Sequence, residues 1–540
     1  MVRLPAVDRT EIIFADTTRE MVARGTWLDP RYGDIVHPFR PIGTFWAQGA
    51  AATLASPAHA REITVYRLPS LVAVALAVLA MFWLAAPRVG HPAALLAAGL
   101  FAVAPLTVLV SQLAIADGLA LLPATVAMLC LLRLYDPEPD APLGRLALLF
   151  GLAMGLGMIV NALHTPILVG VTLLGLLAFD RNLAWLRRTR PTIGLPIALA
   201  VAAPWLFVRM LQDGAPFSGL EWPEFLAALG GAQDMKLRAF PGTFTLAALL
   251  GFLPGVALLP PALKALWDGR DGRLARFLLA WIIGYIVYLE ALSSKPGTYT
   301  VQVMFPAFAL AVAILVTGAK PADRLPRWSL IPWPPLAALF ALGIFATVYG
   351  FTREWPSPHA AVLITAVAAA FGWSARLGRN GDLAGWGTAG VVSLALFAVT
   401  LLGVAFPGVR GIWPAREATR LITTTCGGGT PAILGFREPS ASFVLGAARS
   451  APSPDTMPVD RHALHLVESR WMERYRAAMA EAGAAPAEIG CVEAFNTMRG
   501  CPVTFTLLAV DPLGRGCTAV PNYSCELTKT QVRSPSRGCD

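Results

Sequence analysis

A few charged residues interrupt an otherwise apolar sequence, and their types could perform acid–base chemistry on a lipid phosphate. Asp117 stands within SQLAIADGLA, where a carboxylate is costly unless it is paired or used. Asp8 and Glu11 open the N-terminal arm, and Arg40 and Lys295 are isolated cations in HPFRPIGTFW and LSSKPGTYT. Cations of this kind could neutralise a phosphate, while a carboxylate deprotonates an acceptor hydroxyl. For any one of these residues, a solvated or paired surface group is the simpler interpretation.

The segments that would position these residues are strongly apolar, which is typical of transmembrane helices. The chain of 540 residues is 56% hydrophobic and only 14% charged. Stretches of about 17 to 23 residues, long enough to cross a bilayer, recur between short loops. They predict twelve spans, at roughly 67–86, 92–111, 118–134, 145–162, 165–180, 193–211, 243–265, 274–293, 300–318, 331–351, 358–376 and 384–406.

The distribution of lysine and arginine predicts which loops face the cytoplasm. One set of alternate loops is rich in these residues, whereas the other set holds only Lys236, Arg238, Lys295 and Arg353. We therefore expect the sparse set, the N-terminal arm and the C-terminal tail on the outer face of the membrane. The net charge of +9 is mostly this topological signal, and no basic stripe interleaved with aromatic residues suggests a nucleic-acid partner.

The chain divides into three predicted parts: an outer-face amphipathic arm (1–66), a transmembrane domain (67–406) and a soluble α/β domain (407–540). In the arm, RTEIIFADTTREMVARGTWL and PIGTFWAQGAAATLA predict two helices in the plane of the membrane surface. The second is about 22 Å long as a helix, too short for a hydrocarbon core of about 30 Å. Because this outer arm has no secretory signal, we expect a further helix before it that the sequence lacks.

The tail combines strand-like and helix-like segments. TPAILGF, SASFVLG, HALHLVE, EIGCVEAF and CPVTFTLLAV have strand character, and SRWMERYRAAMAEAG has helical periodicity. Six of the seven cysteines lie here, which favours disulfides in an oxidising compartment over unpaired thiols. Cys491 and Cys501 flank a predicted hairpin, so we expect a bridge between them, while the other pairings stay open.

The order of these motifs resembles the GT-C membrane glycosyltransferases, most closely those related to protein mannosyltransferases and to the aminoarabinose transferase that modifies lipid A. The resemblance begins with DRTEIIFADTTREMVARGTWLDPRYGDIVHPFRPIGTFWAQGAA and continues through SQLAIADGLALL and SSKPGTYTVQVMFPAFALA to GFREPSASFVLG. It covers nearly the whole chain in one order. The family has thirteen spans, so twelve spans would fit a chain that lacks the first helix.

The resemblance implies transfer of a sugar from a polyprenyl-phosphate donor to a lipid or glycan acceptor of the cell envelope, such as lipopolysaccharide. It places Asp117 on the family's acidic residue of the second outer loop, and Lys295 and Tyr299 on its Lys–Pro–Tyr step. Glu11 matches the second acid of the opening pair, but Thr10 stands where the first acid is expected. Asp8 or Glu11 would then have to supply the base.

Two further positions match the family less directly. Arg40 replaces a lysine and keeps the positive charge, with a different geometry. His164, in HTP, lies near the family's Lys-Gly-Pro step. The resemblance predicts no bound metal in this residue set, although it leaves a requirement for a divalent cation open.

The sequence thus predicts an all-α polytopic membrane domain of GT-C type, with about twelve spans, followed by a small soluble α/β domain. It also predicts a glycosyltransferase that uses a polyprenyl-phosphate-linked sugar among membrane lipids. Two alternatives stay open. A non-catalytic relative that binds lipid-linked sugars is favoured by Thr10, and a transporter would be expected to show internal repeats and charges at mid-membrane.

Overall fold

The computed structural model describes residues 9–32, 35–36, 41–56, 59–161, 164–182, 184–213, 240–253, 255–291, 297–318, 342–343, 346, 349, 358–405, 407, 413–436, 439–446, 451, 453–458, 463–496, 501–512 and 516–518. Most of these residues are helical. The helices before the C-terminal domain are α1 (Arg9–Arg24), α2 (Gly43–Leu54), α3 (Ile63–Val89), α4 (His91–Val103), α5 (Pro105–Ser111), α6 (Ala116–Tyr135), α7 (Leu143–Asn161), α8 (His164–Asp180), α9 (Pro191–Asp213), α10 (Thr243–Gly251), α11 (Leu259–Asp268), α12 (Arg273–Ala291), α13 (Phe305–Thr317), α14 (Pro358–Arg379) and α15 (Leu383–Thr400).

The two helices predicted in the arm are present as α1 and α2. Between them lies a small antiparallel pair of strands, β1 (Arg31–Tyr32) and β2 (Ile35–Val36). Side chains of α1 such as Glu11, Ile12 and Thr18 are buried within the protein. Helix α1 is therefore packed against α2 and α3.

The prediction of a polytopic helical membrane protein is confirmed. Among the described residues, seven helices are long and apolar enough to cross a membrane, and nine are if each of two bent helix pairs counts as one span. The shorter apolar helices α8 and α9 match two further predicted spans. The predicted span at 331–351 lies almost wholly outside the described residues.

Two central helical segments carry Asp117 and Tyr299. Helix α6 and the continuous segment from Thr298 to Thr317, which begins as a 3₁₀ turn (Thr298–Met304), are the most deeply buried of these spans. Peripheral helices instead expose large apolar side chains, such as those of Trp83, Leu95 and Leu174, as expected for a surface in contact with lipid. Residues on the central segments are consequently held from several sides.

Ion pairs join the loops that were assigned to the cytoplasmic side. Arg88, at the end of α3, pairs with Asp136 after α6, and Arg276 of α12 pairs with Asp180 at the end of α8. Tyr135 donates a hydrogen bond to the same Asp180 carboxylate at 2.8 Å. The helix ends predicted to share one face therefore do lie together.

The C-terminal domain is a small mixed sheet with helices. Its strands are β3 (Ala432–Leu434), β4 (Leu464–Glu468), β5 (Ala487–Asn496) and β6 (Cys501–Ala509), in the order β3-β4-β6-β5, and only the β3–β4 pair is parallel. Its helices are α16 (Pro414–Cys426), α17 (Pro439–Leu445) and α18 (Met472–Glu481). Four of the five predicted strands and the predicted helix are confirmed.

The strand predicted at SASFVLG is wrong, because this segment forms the short helix α17. A proline at the first helical position starts the helix, and a short apolar run does not by itself distinguish helix from strand. Phe443 of α17 is fully buried in a cluster with Ile12 of the arm, Tyr66 of α3 and Ala114 before α6. This tertiary contact, which joins the C-terminal domain to the arm, decides the conformation.

The predicted Cys491–Cys501 bridge is also wrong. In the hairpin, Cys491 lies opposite Thr506 and Cys501 lies opposite Asn496, so the two cysteines are separated along the ladder. Five positions at about 3.3 Å each greatly exceed the separation of about 7 Å that a disulfide tolerates. Cys491 is disulfide-bonded, with a partner other than Cys501. Cys426, at the end of α16, is bridged to Cys517.

Candidate active site

Asp117 lies in the first turn of α6, on the side of the membrane domain where the arm packs. Its side chain is half-buried, and the N-terminal end of a helix stabilises a negative charge. The adjacent Gly118 permits a close approach, since a Cβ there would lie 2.7 Å from the Val110 carbonyl oxygen and 2.9 Å from Ser70. The carboxylate therefore projects from a turn that is tightly packed against α3 and α5.

The residues just before Asp117 are held by side chains of the arm. Glu11 accepts a hydrogen bond from the Ala114 N–H at 2.9 Å, and Gln48 of α2 donates to the Ala114 carbonyl at 3.0 Å. Thr18 in turn donates to the Gln48 amide oxygen at 2.9 Å. Both backbone groups of Ala114 are thus satisfied by buried side chains, which fixes the entry into α6.

Glu11 forms a buried, bidentate ion pair with Arg67 of α3. Arg67 Nε lies 2.6 Å from Glu11 Oε1, Arg67 Nη2 lies 2.8 Å from Glu11 Oε2, and both residues are almost completely buried. With the Ala114 N–H added, the carboxylate holds α1, α3 and the start of α6 together. Because its two oxygens are held by Arg67 and the Ala114 N–H, this carboxylate serves the structure of the site, and a role as a mobile base is disfavoured.

The other carboxylates of residues 9–32 are also committed to arginines. Asp16 pairs with Arg19, Glu20 with Arg24, and Asp29 with Arg31. Thr10 begins the first turn of α1, directly before Glu11, and is half-buried. Among the described residues of the arm, no carboxylate stands outside an ion pair, and Asp8 lies outside the described residues.

The remaining predicted donor-binding residues are only partly described. Tyr299 lies in the 3₁₀ turn Thr298–Met304, half-buried and packed against the main apolar core. This turn also carries Gln302, whose Nε2 donates to the Asp117 carbonyl at 2.8 Å. Lys295 and Arg40 lie outside the described residues, so their contact with a phosphate stays a prediction.

A histidine–tyrosine pair lies next to this arrangement. His164, at the start of α8, has Nε2 at 2.6 Å from the hydroxyl of Tyr285 on α12. The Thr300 backbone lies beside the imidazole, and Tyr285 is close enough to Asp117 to interact with it electrostatically. The structure thus brings His164, Asp117 and the turn with Tyr299 to one region.

Four residues of this region were missed by the sequence analysis: Arg67, Gln48, Tyr285 and Gln302. Arg67, in VYRLPS, stands at the first position of the predicted span 67–86. The others are single polar residues within apolar runs, where interhelical hydrogen bonds are common. The cost of burying a polar group was the available signal, but it does not identify the partner.

Comparisons with known proteins agree with this architecture. Residues 39–207, which include Asp117 and His164, match the family model described as dolichyl-phosphate-mannose-protein mannosyltransferase. The undecaprenyl phosphate-alpha-4-amino-4-deoxy-L-arabinose arabinosyl transferase of Pectobacterium carotovorum is 26% identical over 416 residues, which are 74% of this chain and 71% of that protein. The protein of the same name from Aeromonas salmonicida is 28% identical over 379 residues, 67% of this chain and 66% of that one.

Two solved structures of ArnT from Cupriavidus metallidurans share the fold over nearly the whole chain. The apo form gives a TM-score of 0.67, covering 93% of this chain and 94% of that one, and the form bound to undecaprenyl phosphate gives 0.69, covering 94% of each. Both are 18% identical in sequence. The chain is a multi-pass membrane protein related to the GT-C glycosyltransferases. Its Asp117 therefore stands in a fold that this family uses, with a threonine at position 10 and an ion-paired glutamate at position 11.

Proposed function

We propose that this GT-C relative is a membrane glycosyltransferase that moves a sugar from a polyprenyl-phosphate donor to a lipid acceptor. The observation that carries the proposal is Asp117, a carboxylate at the start of a central helix. The backbone carbonyl of Asp117 accepts a hydrogen bond from Gln302, in the turn that also carries Tyr299. The names of the similar arabinosyl transferases support undecaprenyl phosphate as the lipid carrier and 4-amino-4-deoxy-L-arabinose as the first sugar to test.

The proposed reaction is a displacement at the anomeric carbon of the donor. Asp117 accepts the proton of an acceptor hydroxyl, whose oxygen forms the new glycosidic bond as the bond between the anomeric carbon and the phosphate oxygen breaks. The polyprenyl phosphate leaves with the bonding electron pair. Lys295 and Arg40 are proposed to neutralise its charge, and Tyr299 to line the same site.

A direct test uses purified protein in detergent micelles, with undecaprenyl phosphate-linked 4-amino-4-deoxy-L-arabinose and lipid A. We expect a glycosylated lipid product by mass spectrometry. Because micelles have no second compartment, product formation also excludes transport as the sole activity. Donor binding without product, for every sugar and acceptor tried, would instead favour a non-catalytic relative, the alternative that Thr10 and the ion-paired carboxylates of the arm support.

Replacing Lys295 or Arg40 with alanine is expected to weaken binding of undecaprenyl phosphate about 10-fold or more. A hydrogen bond to a charged group contributes about 1.5–3 kcal/mol, and 1.4 kcal/mol corresponds to a factor of ten. Binding of the lipid to each purified variant is measured directly. Lys264→Ala is the control, because Lys264 is an exposed lysine paired with Asp268 on the predicted cytoplasmic side. Wild-type affinity in both site variants would make these cations ordinary interfacial anchors.

We also propose that the arm, Asp117 and the C-terminal domain lie on the periplasmic face of an inner membrane. The arginine-rich alternate loops and the Cys426–Cys517 disulfide support this orientation. Alkaline phosphatase, which requires disulfides, is expected to be active when fused after residue 410 and inactive when fused after residue 270. The reverse pattern would contradict both the orientation and the proposed site.

A further inference from the structure

Gln302 is a completely buried amide that connects two parts of the candidate site. It lies in the turn Thr298–Met304, three residues after Tyr299, and its Nε2 lies 2.8 Å from the carbonyl oxygen of Asp117. A carbonyl can only accept, so the contacting atom must be the amide nitrogen. The bond therefore fixes the orientation of the Gln302 side chain as well as its partner.

The backbone of α6 does not require this hydrogen bond. In an α-helix the Asp117 carbonyl already accepts from the N–H four residues further on, and a carbonyl oxygen has a second lone pair for Gln302. The opposite atom, Gln302 Oε1, is buried and makes no hydrogen bond with the described residues. A leucine at position 302 would avoid the cost of burying that oxygen. We therefore attribute the presence of an amide to its hydrogen bond with the Asp117 carbonyl.

Side chains from different parts of the fold hold the start of α6. Glu11 and Gln48 bind the backbone of Ala114 from the arm, whereas Gln302 binds Asp117 itself from the opposite segment. The turn with Gln302 also carries Tyr299, one of the predicted donor-binding residues. A displacement of that turn would therefore be transmitted to the carboxylate-bearing turn.

We propose that Gln302 is a positioning residue, which fixes the position of Asp117 relative to the turn Thr298–Met304 that carries Tyr299. The inference rests on the proposed function for its catalytic consequence. Its structural content, that Gln302 restrains the first turn of α6, stands independently.

The test compares Gln302→Leu with Gln302→Glu in the full-length protein. Gln302→Leu removes the donor at similar volume, and we expect kcat to fall about 10- to 100-fold with KM for the donor nearly unchanged, because misplacement by about 1 Å can cost about 100-fold. Gln302→Glu can donate only while its carboxyl group is protonated. Its activity should therefore exceed that of Gln302→Leu at low pH and decline as pH rises, a dependence that the wild type lacks.

Ser374→Ala is the matched control, since Ser374 is equally buried and donates to the Trp386 carbonyl at 2.9 Å, between α14 and α15. It should leave kcat unchanged. Hydrogen–deuterium exchange supplies a readout without catalysis: Gln302→Leu should accelerate exchange in a peptide covering 112–121, and Ser374→Ala should not. If the wild type transfers no sugar, the proposed function fails and exchange alone decides the role of Gln302. Unchanged exchange at 112–121, or wild-type kcat in Gln302→Leu, overturns the inference.

Discussion

Asp117→Asn is expected to reduce turnover by about 10²- to 10⁴-fold, the usual cost of losing a positioned general base. The amide is isosteric but cannot accept the hydroxyl proton. The carboxylates of residues 9–32 are all held by arginines, so none of them can take over the role of Asp117 as a base. Donor binding should stay near the wild-type value, so the loss should appear in kcat.

Asp382→Asn is the matched control for this substitution. Asp382 caps α15, where its side chain accepts from the Gly385 N–H, and asparagine is an equally good cap. Normal turnover in Asp117→Asn would refute the catalytic role and leave a binding role. Thr10→Asp completes the series, because a sharp gain in turnover would show that the natural protein is a weakened form of a two-acid enzyme.

Arg67→Leu is expected to destabilise the protein by about 3–5 kcal/mol, because it leaves the Glu11 carboxylate buried without its partner. Part of that loss should be recovered in the double variant Glu11→Gln/Arg67→Leu, which removes both charges. Thermal unfolding in detergent, followed for each variant at one scan rate, measures the effect. Arg24→Ala is the control, because Arg24 forms an exposed ion pair with Glu20 on α1, the helix that carries Glu11. It should shift the midpoint of thermal unfolding little, since exposed ion pairs contribute about 0–1 kcal/mol.

Thermal unfolding also separates a structural from a catalytic explanation for inactivity in Glu11 variants. If Glu11 is structural, Glu11→Gln should lose stability and activity together, because it leaves Arg67 uncompensated in the interior. A base would lose activity alone. Full stability in Glu11→Gln with abolished turnover would contradict the structural role of Glu11 and restore it as the candidate catalytic base of the arm.

The sequence alone determined the membrane class and most spans, and it singled out Asp117 as a candidate. Apolar runs of bilayer length are required because backbone groups in lipid must be satisfied within a helix, so composition and length suffice to find them. Asp117 was recognisable for the same reason, as a charge where charge is costly. The strands around Cys491 and His465 were also readable, since alternation of apolar residues is a local property.

Only the tertiary structure decided which polar groups meet. Glu11 is a candidate base by sequence, and the structure adds that Arg67, 56 residues away, binds both of its carboxylate oxygens. Gln302 reaches Asp117 across 185 residues of sequence, and Cys491 misses Cys501 because the strand register separates them. The conformation of SASFVLG was set by the burial of Phe443 against the arm. Each outcome depends on a partner distant in sequence, and neither residue type nor local spacing specifies such a partner.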